Sequence, residues 1–292
     1  MGQVIELEYN EPLDFQKSLQ FILSFSPLHI KLNSAKKTLV KGITIKGKKI
    51  LCEIKSEQAN NIVCEVVTGE LLDEREQNEI KKIFEEFLSL KDNLMPFYDL
   101  ADRDSIFKPI KEALYGYHQV RFFTPFEAAC WAILSTRSTM NQATTMKMKL
   151  IKQLGLIIKY EETEYPIFPT EKDLINYTVE DIAPIINSVK KAGYIRSAIE
   201  FFNNNSYESL QKLSTESLIK KLQEIKGIGK WASMFIQIRG LGIMDSLTAP
   251  ELELLKRFDR FYKPIDNKKA FNDIIQLYGQ YKGYWAHYLR VY

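Results

Sequence analysis

Cysteine and histidine are scarce: three of each in 292 residues. Cys52, Cys64 and Cys130 form no CxxC spacing, and any pairing leaves one over. A disulfide framework and a zinc or iron–sulfur site are therefore not expected, and the thiols read as reduced and buried. His29, His118 and His287 are too scattered to act together as metal ligands. No stretch approaches 18 uninterrupted apolar residues, so no spanning helix is expected. Residues 1–6 lack the basic start and apolar run of a secretion signal, which favours a cytoplasmic location. Gly2 opens a myristoylation pattern that fails at Leu7, where Ser or Thr is needed. A surplus of one charge is lacking too. Lys and Arg number 40 against 37 Asp and Glu, a net of +3, so affinity for a polyanion has to come from local arrangement.

What remains is ordinary globular composition, 45% hydrophobic and 26% charged, with length for one large domain or two to three small ones. The pattern changes near residue 95. Before it, residues 4–9, 28–32, 50–54 and 62–67 alternate as strands, with turns at Gly42, 47–49 and 60–61. Two helices interrupt them. One spans about 14–25, with Phe15, Leu19, Ile22 and Leu23 on one stripe. The other spans about 73–90, with Ile80, Ile83, Phe84 and Phe87 at helical spacing. An antiparallel sheet carrying helices on one face follows. After residue 95 almost nothing reads as strand. Thr124-Pro125-Phe126-Glu127 announces a helix with an N-cap, a proline and an acid, and the caps at Thr170-Glu171-Lys172-Asp173 and Thr178-Val179-Glu180-Asp181 repeat the pattern. The expected fold is α+β: a small antiparallel-sheet domain over 1–95 and an all-α bundle over 96–292.

The most informative stretch is 218–235. An apolar-striped helix ends in Ile225-Lys226-Gly227-Ile228-Gly229-Lys230-Trp231-Ala232, where two glycines permit a tight turn and close approach of another backbone. The second helix starts at once, so its free N–H groups form an anion site suited to a phosphate. Lys226, Lys230, Lys220, Lys221 and Arg239 add positive charge. A GxG turn alone is common between packed helices; the longer pattern is far more specific.

That pattern resembles the helix-hairpin-helix of DNA repair glycosylases, in the 3-methyladenine DNA glycosylase II (alkylbase) branch. The resemblance extends over the chain: residues 9–21 with Pro12, Asp14 and Phe15, the helix opened by Thr124-Pro125, the segment 239–245 and the closing segment 281–286. It implies two helical subdomains with the active-site cleft between them, a partner in double-stranded DNA with damaged bases, action as a monomer and no redox cofactor. The hairpin residues Lys226, Gly227, Ile228, Gly229 and Lys230 would grip one phosphate. The carbonyls of Lys226 and Ile228 are implied to hold a sodium or potassium ion.

The chemistry divides on one position. Lyase members of the superfamily carry a lysine nucleophile just after the hairpin; here that position is Trp231, with Lys230 on another face of the helix. This disfavours an 8-oxoguanine-type glycosylase/lyase. Monofunctional members use an aspartate that stabilises the cationic sugar and activates water. The resemblance puts Glu251 there, one methylene longer, within Thr248-Ala249-Pro250-Glu251, and places Asp245 as a cap or a water-positioning acid. Glu253 reads as an exposed helix residue. Thr136 and Arg137 replace the usual wedge residues, and Arg137 either fills the base stack or reaches a phosphate. Phe21, Trp231, Phe235 and Tyr281 align with the base pocket, whose aromatic wall suits a cationic alkylated purine. The leading expectation is a monofunctional DNA N-glycosylase that flips and hydrolyses out alkylated purines such as 3-methyladenine. The alternative is a catalytically weak or inactive paralogue that binds DNA or senses damage, since Glu251 and Arg137 both depart from the pattern.

Overall fold

A computed structural model describes residues 3–28, 31–33, 37–57, 61–68, 71–248, 250–263 and 265–292. The first third builds a five-stranded antiparallel sheet from β1 (Val4–Leu7), β2 (Lys31–Asn33), β3 (Thr38–Ile45), β4 (Lys48–Ser56) and β5 (Ile62–Thr68), in the order β1-β5-β4-β3-β2. Two helices pack on it. Helix α1 (Phe15–Ser24) is capped by Asp14, and α2 (Glu74–Phe87) by a capping box between Asp73 and Glu76. Phe15, Leu19, Ile22, Ile80, Phe84 and Phe87 are buried, as their periodicity requires.

Two readings of this region change, and one of the helical part. Gly42 is no turn but lies inside β3, a strand the alternation pattern hides because both its faces are largely buried. A Cβ there would meet Ile167 Cγ1 at 2.9 Å; the glycine lets a hairpin of β6 (Ile157–Tyr160) and β7 (Thr163–Pro166) lie against the strand. That hairpin was not foreseen in the helical part. The strand placed at 28–32 begins only at Lys31, and Leu28 ends a short 3-10 turn. His29, Ile30 and Asn60 lie outside the described residues, as does Ala249 of the frame around Glu251.

The rest is helical: α3 (Met95–Ala101), α4 (Lys108–Ala113), α5 (Pro125–Ser135), α6 (Met140–Gln153), α7 (Val179–Ile186), α8 (Val189–Asn204), α9 (Tyr207–Gln211), α10 (Thr215–Leu222), α11 (Lys230–Ile236), α12 (Leu252–Tyr262), α13 (Asn267–Tyr278) and α14 (Lys282–Val291). The Thr124 and Thr178 caps form as expected. At Thr170 the cap bonds form, with Asp173 N–H donating to Oγ1 at 3.3 Å, but the segment stays a run of turns and no helix follows.

Two hydrophobic cores result. The first joins the sheet, α1 and α2 to α5–α8 and α10; the second joins α3 and α4 to α12–α14. Helix α11 lies between them: Ala232 and Ile236 belong to the first core, Met234 and, just past the helix, Ile238 to the second. No helix among the described residues is long and apolar enough to cross a membrane.

Candidate active site and nucleic-acid interface

The hairpin joins α10 to α11. Gly227 has φ +85°, the left-handed region that glycine enters without strain, and a Cβ there would drive into the Tyr194 ring at 2.3 Å. Gly229 is the N-cap of α11 and exposed, with nothing near its Cβ direction. The turn is held from below: Lys226 N–H donates to Ser197 Oγ at 3.0 Å, and Ile228 N–H to Ile225 carbonyl at 3.0 Å. The amides of Gly229, Lys230 and Trp231 donate to no protein group among the described residues. Lys226 and Lys230 are exposed beside them. This outward-facing set of N–H groups fits one phosphate.

Helix α8 connects the hairpin to the loop between α5 and α6. Lys191, Tyr194 and Ser197 recur every three residues and so share one side of it. Tyr194 and Ser197 meet the hairpin. Lys191 Nζ donates to Leu134 carbonyl and Ser138 Oγ, both at 2.6 Å. The loop carries Thr136, whose hydroxyl caps Ala132 carbonyl at 2.8 Å, and Arg137, held at φ +52°. Such backbone is costly for a non-glycine residue. Arg137 lines an open basin with Lys149 and Lys191, not the aromatic cavity.

Beyond the hairpin lies a cavity of about 390 Å³ at the seam of the two cores, within the roughly 300–1,000 Å³ of small-molecule sites. Helix α1 gives Phe21, Ser24 and Phe25; α11 gives Trp231, Met234 and Phe235; α14 gives His287, Arg290 and Val291. Trp231 is 37% exposed and stacks on Phe235 at 5.4 Å, an i,i+4 pair on one face of α11. Past Ile236 the helix widens into a π-helical turn, Gln237–Leu241, which brings Ile238 and Arg239 to the cavity wall. Such turns often mark functional sites.

Glu251 lines the same cavity. It is the N-cap residue of α12, but its side chain caps nothing. Its carboxylate instead accepts both arms of the Arg290 guanidinium, Nη2–H to Oε2 at 2.8 Å and Nε–H to Oε1. This bidentate, charge-assisted pair fixes the carboxylate more firmly than a single bond would. His287 shares its Nε2 with the Tyr117 hydroxyl at 2.9 Å. Burial, then the charges of Arg239 and Arg290, push its pKa well below the usual value, so it stands neutral.

The expected site residues thus divide. Glu251, Phe21, Trp231 and Phe235 converge on the cavity; Gly227, Ile228, Gly229, Lys226 and Lys230 form the hairpin; Thr136 and Arg137 share their loop. Two residues lie away from the cavity. Asp245 does not line it and takes the structural one of its two expected roles, pairing with Lys282 at 2.5 Å, where the loop before α12 is tied to α14. Tyr281 packs beside Phe97 on the second core, because it precedes α14 and faces away. Arg239, grouped in sequence with the hairpin charges, is buried in the cavity wall instead, and it meets the Phe21 and Phe25 rings at 4.9 and 4.6 Å. The cation–π role expected of Phe21 is filled by this arginine. Glu253 is exposed and pairs with Arg257, as expected. Arg290, His287 and Phe25 were missed. The lone basic residue in the last turn of the otherwise buried, aromatic α14 was the available signal.

No protein-family model matches the chain. Over 218 residues it is 26% identical to a DNA-3-methyladenine glycosylase of Bacillus subtilis, an alignment covering 74% of this chain and 71% of that one. The fold matches a 3-methyladenine DNA glycosylase from Archaeoglobus fulgidus with a TM-score of 0.80 at 21% identity, over 99% and 97% of the two chains. It matches an 8-oxoguanine glycosylase/lyase of Clostridium acetobutylicum, bound to double-stranded DNA, with a TM-score of 0.72 at 16% identity, over 99% and 97%. A glycosylase and a glycosylase/lyase share this fold, so the fold alone does not choose between their chemistries.

Proposed function

Starting from a chain that belongs to the helix-hairpin-helix DNA glycosylase superfamily, we propose that it is a monofunctional DNA N-glycosylase acting on damaged purines in duplex DNA. Alkylated purines are the first class to test, given what the Bacillus subtilis relative is named for. The observation that carries the reading is the convergence of the Glu251 carboxylate with stacked Trp231 and Phe235 in one cavity, directly behind a hairpin with outward-facing amides.

The steps follow from these parts. Gly229, Lys230 and Trp231 amides hold a backbone phosphate, which fixes register without reading sequence. The damaged nucleotide swings out of the stack, and its base enters the aromatic cavity. As the C1′–N bond breaks, its electron pair leaves with the base and the sugar becomes cationic. Glu251 stabilises that charge and accepts a proton from the water that adds to C1′. A Schiff-base route needs an amine at the cavity, and no lysine lines it among the described residues. The carbonyl oxygens of Lys226 and Ile228 on the hairpin are hard ligands of the kind sodium or potassium takes, and a cation there would stiffen the phosphate grip. Arg137, beside Lys149 and Lys191 in the open basin, would meet DNA together with Thr136 of the same loop.

One observation favours the second reading, a DNA-binding protein with weak or no activity: Arg290 occupies both Glu251 oxygens. Incubation with methylated duplex DNA, with and without borohydride, separates the readings. Free methylated purine with no trapped adduct is expected. A trapped adduct would make the protein a lyase, and binding to abasic DNA without base release would make it the non-catalytic binder.

A further inference from the structure

Arg239 is 7% exposed, yet its Nε and Nη2 make no hydrogen bond among the described residues. It lies in the cavity wall against Phe21 and Phe25, with neutral His287 and the Glu251–Arg290 pair across the same cavity. Burial pulls its pKa down to about 10, so it remains a cation at neutral pH. A buried charge with idle donors is expensive and normally finds a partner. Among the described residues the one carboxylate lining the cavity is already taken by Arg290. The charged groups of the described lining, two arginines and one glutamate, leave an excess of one positive charge.

We propose that Arg239 is the specificity residue of the cavity, donating to a carbonyl oxygen of the base, so that 6-oxopurines are taken in preference to 6-aminopurines. The inference rests on the base-excision reading and narrows its substrate class. The chemistry is that of base edges. A guanine-type edge offers O6, an acceptor that a guanidinium matches; an adenine-type edge offers an amino group, which would point donor at donor. The positive excess also opposes a base that is itself cationic, which removes the advantage an aromatic wall alone would give to such bases.

Two measurements test it. Duplex DNA methylated by dimethyl sulfate carries 7-methylguanine, a 6-oxopurine, and 3-methyladenine, a 6-aminopurine; both are cationic in the intact nucleotide, so their ratio isolates the carbonyl. Relative to wild type, Arg239→Met should lower release of 7-methylguanine against 3-methyladenine by about 10- to 150-fold, the range of one hydrogen bond from a charged donor to O6, since the methylated N7 accepts nothing. An unchanged ratio, with both rates falling together, would overturn the proposal and leave Arg239 a structural residue. The second measurement needs no catalysis: calorimetric titration of the full-length protein with free hypoxanthine and free adenine, both neutral. Hypoxanthine should bind more tightly, and Arg239→Met should abolish the difference. If wild type releases neither base but shows this Arg239-dependent preference, the excision reading fails and the specificity assignment stands. If the two bases bind alike, the assignment is wrong whatever the activity. Loss of fold is monitored by the melting temperature, and Arg239→Lys, which keeps the charge without the fork, should recover only part of the preference.

Discussion

Lys147 and Arg239 are both buried cations set against pairs of phenylalanines, and the fold treats them in opposite ways. Lys147, in the first core, lies 5.3 and 5.1 Å from Phe122 and Phe168. Its Nζ donates to Glu127 Oε1 at 2.5 Å and to Pro27 carbonyl at 2.6 Å. Arg239 has the same kind of aromatic cover but leaves Nε and Nη2 without partners among the described residues. Neighbouring Lys41, also buried, donates to Pro166 carbonyl at 2.9 Å, and burial pulls its pKa down to about 8. At the junction of sheet and helices both buried ammonium groups therefore find hydrogen-bond acceptors, as buried charges in stable interiors do. The seam between the cores keeps a charge and an aromatic face available, and that is the mark of a place built to receive something.

The sharpest way to break the comparison is to remove each cation in turn. Lys147→Met strands the Glu127 carboxylate in the core and should cost about 3–5 kcal/mol in chemical denaturation. Arg239→Met strands nothing and should leave stability unchanged or higher. Equal losses would mean that both arginine and lysine are structural, and the contrast would vanish.

The hairpin offers a second contrast. Gly227→Ala forces a Cβ into Tyr194 at positive φ and should lower stability by about 1–3 kcal/mol as well as DNA affinity. Gly229→Ala meets open space and an ordinary φ of −96°, so stability should hold to within about 0.5 kcal/mol. Its DNA affinity should still fall, by the same factor on every duplex sequence, because a phosphate contact carries no base information. A sequence-selective loss, measured by titration on unrelated duplexes, would contradict the assignment.

A gradual effect is expected in pH. His287 has a depressed folded-state pKa, so below its unfolded value of 6.5 the unfolded chain binds a proton that the folded chain does not. Its share of stability is complete above pH 6.5 and declines as pH falls, by up to about 1.4 kcal/mol per unit. His287→Gln should flatten that part of the stability–pH curve; an unaltered slope would mean the imidazole is already charged in the fold.

Legibility in the sequence followed the reach of each interaction. Thr124 and Thr178 were readable as caps because a cap is satisfied within three residues; Asp14 and Asp73, read only as helix starts, close the same kind of bond. The Gly227–Gly229 turn was readable for the same reason. Gly42 misled because its neighbour, Ile167, is 125 positions away, and the Thr170 cap misled because cap bonds form without a helix behind them. In the site, Trp231 and Phe235 emerged together because both align with the base pocket of the branch that the hairpin resembles, and their i,i+4 spacing puts them on one face of α11. The partners that make Glu251 and Arg239 unusual come from the far end of α14 and from α1, and no local pattern links them. Asp245 was open between a structural cap and a water-positioning acid; its ion pair with Lys282, 37 positions on, is a long-range contact that no local pattern shows.

The central claim, that Glu251 acts on a sugar presented by the hairpin, is tested most directly by single-turnover release of methylated purine from duplex DNA with wild type, Glu251→Gln and Glu251→Asp. The account predicts that Glu251→Gln falls by about 10²–10⁴-fold, with abasic-DNA binding retained, while Glu251→Asp keeps measurable release. Release by Glu251→Gln at the wild-type rate would contradict it.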